Sequence, residues 1–222
     1  MRQFILLIAF LAFSKASFSD PRVSEDLPST INANDKFLFY SHGFIVEGTN
    51  TNPVHPRWGE YDFPAITTHF LSSSYHLLAR HRPSGIAPKR YAAKLAAEIQ
   101  QLLDNGVPPQ HIAVMGFSRG GALSILATDI VANSDINLIV LAGCAGLISQ
   151  NPDVALRANV LSIYETSDQV GSCEFVRQRQ SVESAFTEHA ISTGKEHGAF
   201  YQPYDAWTRI VKAWLKQQGI MP

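Results

Sequence analysis

Ser118 lies in Gly116-Phe117-Ser118-Arg119-Gly120-Gly121, directly after the apolar run Ile112-Ala113-Val114-Met115. This is the pattern of a nucleophile elbow, where a serine on a sharp strand-to-helix turn presents its hydroxyl outward. Such a turn holds the serine at positive φ and brings the residues two before and two after it against other backbone. Both of those positions are glycine here. A six-residue match of this kind also occurs in ordinary loops, so its chemistry depends on what the rest of the chain supplies.

A serine hydroxyl becomes a nucleophile when a base takes its proton, and the base needs an acid to fix its tautomer. Asp168, closing Tyr164-Glu165-Thr166-Ser167-Asp168, and His197, in Lys195-Glu196-His197-Gly198, follow the serine in the order acid, then base. Glu165 competes for the acid role from nearer the strand body. His189 falls inside the expected strand Phe186 to Ile191, where it faces a packing helix and reads as structural. His42, His55, His69, His76, His81 and His111 all precede Asp168. None of the histidines falls in an HExxH or Cys/His ligand spacing, so neither a metal site nor a cofactor is expected.

Acyl transfer also needs donors where negative charge develops on the tetrahedral intermediate. One is the backbone N–H of Arg119, the residue after the nucleophile; the other is that of Phe44 in the turn Ser41-His42-Gly43-Phe44. Arg82, in His81-Arg82-Pro83, follows a strand at the same edge. With Arg119 it reads either as a contact for an anionic acyl or leaving group or as a structural ion pair.

The elements that must position these groups alternate along the chain. Apolar runs place strands at Lys36 to Ser41, Tyr75 to Ala79, His111 to Phe117, Asn137 to Gly143, Asn159 to Tyr164 and Ala185 to Ile191. Between Lys89 and Leu103, Ala92, Leu95, Ala96, Ile99, Leu102 and Leu103 recur at helical spacing, and Asn105-Gly106 stops the helix. Tyr204 to Gln218 repeats the device with Trp207, Ile210, Val211, Trp214 and Leu215. Further helices follow Ser118 and span Pro64 to Leu71. The expected fold is therefore α/β, a mostly parallel central sheet with helices on both faces, and its ligands bind at the C-terminal edge of the strands.

With 222 residues, 45% of them hydrophobic, the chain suits one domain. Residues 1–19 stand apart as a signal peptide, Arg2 preceding an apolar run from Phe4 to Phe13 that is too short to cross a bilayer. A membrane anchor is the alternative reading. Residues 20–222 then form the domain, expected to be exported to a periplasm or the exterior without stable membrane insertion. Loss of Arg2 and Lys15 leaves 16 basic residues against 19 acidic ones, a net of −3, which offers no footprint for nucleic acid. A small acyl compound is the expected partner. Cys144 and Cys173, an even count in an exported chain, suggest a disulfide between the end of the fourth strand and the acid loop, against two free thiols as the alternative. The connection Cys144 to Ala158 is too short for a cap domain, whereas Ile45 to Phe63 is long enough to form a substrate wall over the oxyanion side, or a plain surface loop.

From about residue 36 onward the chain resembles the α/β-hydrolase superfamily, and looks like small exported bacterial members that carry a Gly-Phe-Ser-Arg-Gly-Gly elbow and a His-Gly-Ala-Phe-Tyr motif. The resemblance implies Ser118 as nucleophile, His197 as base and Asp168 as acid in a carboxylesterase-like serine hydrolase. The chain departs from larger members at its N-terminal end, where their two leading antiparallel strands are expected to be reduced or absent. Thioesterase and peptidase chemistry use the same constellation, and a non-catalytic binding protein can use the same fold.

Overall fold

The computed structural model describes residues 22–179 and 185–222. The expected signal peptide lies outside the described residues. The main sheet has seven strands: β1 (Val23–Ser24), β2 (Phe37–Ser41), β5 (His76–Ala79), β6 (Ile112–Phe117), β7 (Asn137–Leu141), β8 (Asn159–Glu165) and β9 (Phe186–Ile191). Their spatial order is β1-β5-β2-β6-β7-β8-β9 and every pairing is parallel. A separate two-stranded hairpin pairs β3 (Val54–His55) with β4 (Gly59–Glu60).

Five α-helices are described: α1 (Phe63–His69), α2 (Pro88–Asp104), α3 (Arg119–Val131), α4 (Glu174–Arg177) and α5 (Asp205–Gln217). Alternation along the central strands sorts them into two layers. Leu38, Tyr40, Ala113, Met115, Ile139, Leu141, Leu161 and Ile163 face a core shared with Phe63 and Ile66 of α1 and with Trp207, Val211, Trp214 and Leu215 of α5. Their neighbours Phe37, Phe39, Ile112, Val114, Leu138, Val140 and Val160 face the other core, with Ala92, Leu95, Ile99 and Leu102 of α2 and Ala122, Ile125 and Leu126 of α3. A strand buried on both faces reads as a continuous apolar run, as β6 and β7 do. The helix boundaries have local causes: Asp62 caps α1 by accepting the Ala65 N–H at 2.8 Å, and Pro88 opens α2 where no N–H is needed. Gly106 follows α2 at φ 83°, the left-handed conformation that ends a helix.

The six expected strands and four expected helices are present within one or two residues. Two features depart from expectation: β1 joins the sheet beyond β5, and the segment from Ile45 to Phe63 contains the β3–β4 hairpin. The order also reverses at β2, since the chain passes from β2 to β5 on one side and then returns to β6 on the other. The C-terminal ends of β2 and β6 therefore border the crevice that α/β sheets use for ligands. The turns after those two strands carry Gly43-Phe44 and Ser118.

Candidate active site

Ser118 sits between β6 and α3 at φ 52°, ψ −119°, which the backbone maintains only because its surroundings fix the turn. Those surroundings are glycine contacts. A Cβ at Gly116 would lie 2.3 Å from the Gly120 carbonyl oxygen, and one at Gly120 would lie 2.0 Å from that of Ser41. Any larger residue at either position would push α3 away from β6 or from the turn after β2. The sharp turn leaves Ser118 only partly covered at the end of a fully buried strand.

Two loops bring partners to it. Asp168 follows β8 and is held by its own N–H to the Glu165 carbonyl at 3.0 Å and by Oδ1 accepting the Val170 N–H at 3.1 Å. His197 lies in the short 3-10 helix Glu196–Phe200 after β9. Its Nδ1 is 2.6 Å from Asp168 Oδ2 and its Nε2 is 2.8 Å from Ser118 Oγ. An ionised carboxylate can only accept, so Nδ1–H donates to Asp168, and in the neutral ring Nε2 is left to accept the Ser118 hydroxyl proton. The imidazole is 10% exposed and the carboxylate 5%, with the Phe117 ring 4.7 Å from the imidazole and the Trp58 ring 5.2 Å from it.

The competing residues are engaged elsewhere. Glu165 accepts the Thr193 and Gly194 N–H groups on Oε1 and the Ser167 N–H on Oε2, so it ties the acid loop to the segment leading to His197. Burial pushes its carboxyl up, but these bonds from Ser167, Thr193 and Gly194 outweigh burial and hold it below the usual range. His189 lies in β9 as expected but is exposed on this edge strand rather than packed.

The turn after β2 runs beside the serine: a Cβ at Gly43 would stand 3.8 Å from Ser118 Cβ. Phe44 begins a 3-10 helix, Phe44–Val46, and Arg119 begins α3. Neither backbone N–H is taken up by a backbone or side-chain acceptor among the described residues, as befits first-turn donors. The Phe44 side chain is 62% exposed at the mouth, with the Arg119 guanidinium 5.1 Å from its ring.

Of the two readings open for Arg82, substrate contact or structural ion pair, its surroundings fit the second. Arg82 is 1% exposed, donates Nε–H to Glu47 Oε1 at 3.1 Å and Nη2–H to the His42 carbonyl, and lies over the Tyr91 ring. Arg119 shares the same Glu47 oxygen at 2.9 Å. Burial of the Arg82 charge follows from Glu47, a partner thirty-five positions away that no local spacing announces. The structural ion pair is therefore the reading that fits both arginines. Next to them His42 is fully buried. Its Nε2 accepts the Arg82 backbone N–H at 2.9 Å, which leaves Nδ1–H to donate to the Gly43 carbonyl at 2.8 Å. Desolvation, reinforced by the Arg82 charge, lowers its pKa to about 3, so it remains a neutral bridge within the turn.

One contact was not legible in the sequence, whereas the expected disulfide is present. Trp58, in the β3–β4 turn, donates Nε1–H to Glu196 Oε2 at 3.0 Å. Glu196 immediately precedes His197 and is held below the usual carboxylate range by that bond and by Arg57. Within the segment from Ile45 to Phe63, which could form a wall or a plain loop, the β3–β4 hairpin thus leans on the His197 loop while Glu47 lies beneath the turn after β2. Cys144 and Cys173 are joined, with Cα atoms 5.2 Å apart, linking the loop after β7 to the end of the acid loop. Glu188 of β9 holds the same place by accepting the Cys173 N–H at 2.7 Å. Among the described residues no cluster of His, Cys, Asp or Glu could hold a metal ion, and no helix is long and apolar enough to cross a membrane.

Comparison with known proteins agrees with this architecture. The chain is similar to SOBER1 of Arabidopsis thaliana, with 15% identity and a TM-score of 0.52 over 83% of this chain and 99% of that one. It is similar also to the carboxylesterase Cest-2923 of Lactobacillus plantarum WCFS1, at 14% identity and a TM-score of 0.56 over 90% and 91% of the two chains. An α/β hydrolase from the sediment metagenome of the Mar Chica lagoon, Morocco, gives 13% identity and a TM-score of 0.54 over 85% and 94%. At such identities the likeness is one of fold. No curated protein matches the chain in sequence. The phospholipase/carboxylesterase family pattern, however, matches residues 75–199, more than half of the sequence and including Ser118, Asp168 and His197. The chain belongs to the phospholipase/carboxylesterase family of the α/β-hydrolase superfamily, and is a hydrolase of the esterase kind.

Proposed function

We propose that the protein hydrolyses a carboxylic ester of a small-molecule substrate through an acyl-enzyme formed on Ser118, with His197 as general base and acid and Asp168 as the orienting carboxylate. One observation carries this reading: the unbroken line of two hydrogen bonds from Ser118 Oγ through the imidazole to Asp168, at 2.8 and 2.6 Å. Ser118 Oγ bonds to the substrate carbonyl carbon as His197 Nε2 takes its proton, and the C=O electron pair moves to oxygen. The N–H groups of Phe44 and Arg119 stabilise that oxyanion. As the intermediate collapses, the C–O bond to the alcohol breaks and Nε2–H protonates the leaving oxygen. Water, losing its proton to the same nitrogen, repeats the sequence on the acyl-enzyme and releases the carboxylic acid. Asp168 stays ionised throughout and keeps Nδ1 protonated.

The turns after β7 hold no separate cap, and an esterase rather than an interfacial lipase fits a site without one. Hydrolysis of a panel of p-nitrophenyl esters, thioesters and peptide amides by the wild type and by Ser118→Ala tests the assignment. Ester turnover that Ser118→Ala abolishes supports it; equal rates in the two proteins would refute it.

The protein works outside the cytoplasm in this reading. Residues 1–19 carry the signal-like run, and an oxidising compartment would maintain the Cys144–Cys173 bridge. Recovery of the protein outside the cytoplasm with an N-terminus just after Ala16 or Ser19 checks this, whereas an intact Met1 on the mature protein would contradict it.

A further inference from the structure

We infer that Glu196 latches Trp58 over the imidazole of His197, making Trp58 a positioning residue for the base. The inference rests on the reading of His197 as the general base. Its grounds are the contacts between the β3–β4 turn and the loop after β9, two segments about 140 residues apart in sequence.

Glu196 is held at both carboxylate oxygens. Oε2 accepts the indole N–H of Trp58 at 3.0 Å and Oε1 accepts Arg57 Nη2–H at 2.6 Å. The residue has φ 52°, unusual for a non-glycine side chain, and such conformations persist where their surroundings over-determine them. Here the backbone turn lets Glu196 reach the hairpin while the next residue, His197, reaches Ser118. Gly198 then permits direct approach: a Cβ there would stand 2.9 Å from Trp58 Cβ and 3.1 Å from the Trp58 carbonyl oxygen. The hairpin is also moored on Tyr201, whose ring lies 6.0 Å from that of Trp58 and whose carbonyl accepts the Asp62 N–H at 2.9 Å.

The consequence concerns the imidazole. A histidine that must bond Ser118 at one nitrogen and Asp168 at the other loses both when its ring rotates. The Trp58 ring at 5.2 Å and the Phe117 ring at 4.7 Å restrict that rotation and limit water access. The Arg57 contact is exposed, with 64% of that side chain open to solvent, so the Trp58 bond within the same carboxylate is the better shielded half of the latch.

The test is a double-mutant cycle on kcat and KM with a short-chain p-nitrophenyl ester, using Trp58→Ala, Glu196→Ala and the pair. Misplacing the base lowers kcat, and Trp58→Ala is expected to cost about ten-fold in kcat with KM changed less than about three-fold. Because Glu196 acts through Trp58, the double variant should be no slower than Trp58→Ala alone. Trp58→Phe, which retains a ring but cannot donate to Glu196, should match Glu196→Ala and not the wild type, and it guards against a folding defect in the alanine variant. Unchanged kcat with raised KM in Trp58→Ala, or losses that simply multiply in the double variant, would overturn the latch. A readout independent of turnover separates this from the hydrolase reading. The His197 ring resonances should be sharp in the wild type and broadened by exchange in Glu196→Ala even if no ester is cleaved. Identical resonances in both proteins would also overturn it.

Discussion

The two sides of the candidate site are built by opposite means. On the oxyanion side, the turn after β2 is supported from beneath by buried charge: Glu47 shared between Arg82 and Arg119, with neutral His42 bridging Arg82 and Gly43. On the acid–base side, the loops after β8 and β9 are held by N–H bonds to Glu165 and Glu188, by the buried disulfide and, at the surface, by Glu196 with Arg57. A buried ion pair is costly to unpair, whereas an exposed contact such as Glu196–Arg57 holds position with little effect on the fold. The comparison teaches that damage to the first side should appear as lost stability, and damage to the acid, the base or their surface contacts on the second as lost rate.

The largest expected effect lies on the acid–base side. Asp168→Asn keeps the shape but removes the carboxylate that sets the His197 tautomer, and should lower kcat about 10⁴-fold with little change in thermal midpoint. Steady-state kinetics alongside calorimetry checks this; a ten-fold loss or less would remove Asp168 from its role. Glu47→Ala should do the reverse. It leaves Arg82 buried without its partner and should cost about 3–5 kcal/mol in urea unfolding at neutral pH. A loss under about 1 kcal/mol would show that the ion pair does not support the turn.

The disulfide is the buried part of the acid–base side that should contribute to the fold. Closing a loop with a sequence separation of 29 is worth about 3–4 kcal/mol in the chain-entropy account, so Cys144→Ser with Cys173→Ser should lose up to that amount. If the acid loop moves as well, kcat falls with it. A stability change near zero would mean that Glu188 and the core suffice to hold the loop.

At neutral pH the smallest effect is that of His42, which shows only as the pH falls. Folded His42 stays neutral down to about pH 3, whereas the unfolded chain protonates it near pH 6.5. Between those values the unfolded state binds the extra proton, so stability falls as pH falls, by at most about 1.4 kcal/mol per unit from this group. Above about pH 6.5 its contribution is flat. The carboxyls of Glu165 and Glu196 are held low and so lose stability in the same direction, at more acid pH. Denaturant midpoints from pH 4 to 8 should therefore decline below pH 6.5, and His42→Asn should flatten the decline nearest pH 6. An unchanged slope in that variant would reassign the effect to the carboxylates.

Much of this was legible before any coordinates. Apolar runs such as Ile112 to Phe117 and Asn137 to Leu141 mark strands because burial on both faces leaves no polar alternation. The stripes of α2 and α5 mark helices because each buries only one side. Ser118, Asp168 and His197 could be singled out because each stands just past a strand, where a parallel sheet gathers its loops. β1 and the β3–β4 hairpin were not legible, since strands of two residues carry no periodicity. The burial of Arg82 is not legible for a related reason. Its place after a strand suggested an open edge, and only the distant Glu47 reveals a buried charge. The Trp58–Glu196 contact joins residues 138 apart, so spacing along the chain contains no trace of it.

The central claim is that Ser118 is the nucleophile, activated through His197 and Asp168. Fluorophosphonate treatment followed by intact mass and peptide mapping tests it most directly. The account predicts a single adduct on the peptide containing Ser118, absent in Ser118→Ala and formed far more slowly in Asp168→Asn. Folded wild-type protein that acquires no adduct, or acquires it on another residue, would contradict the account.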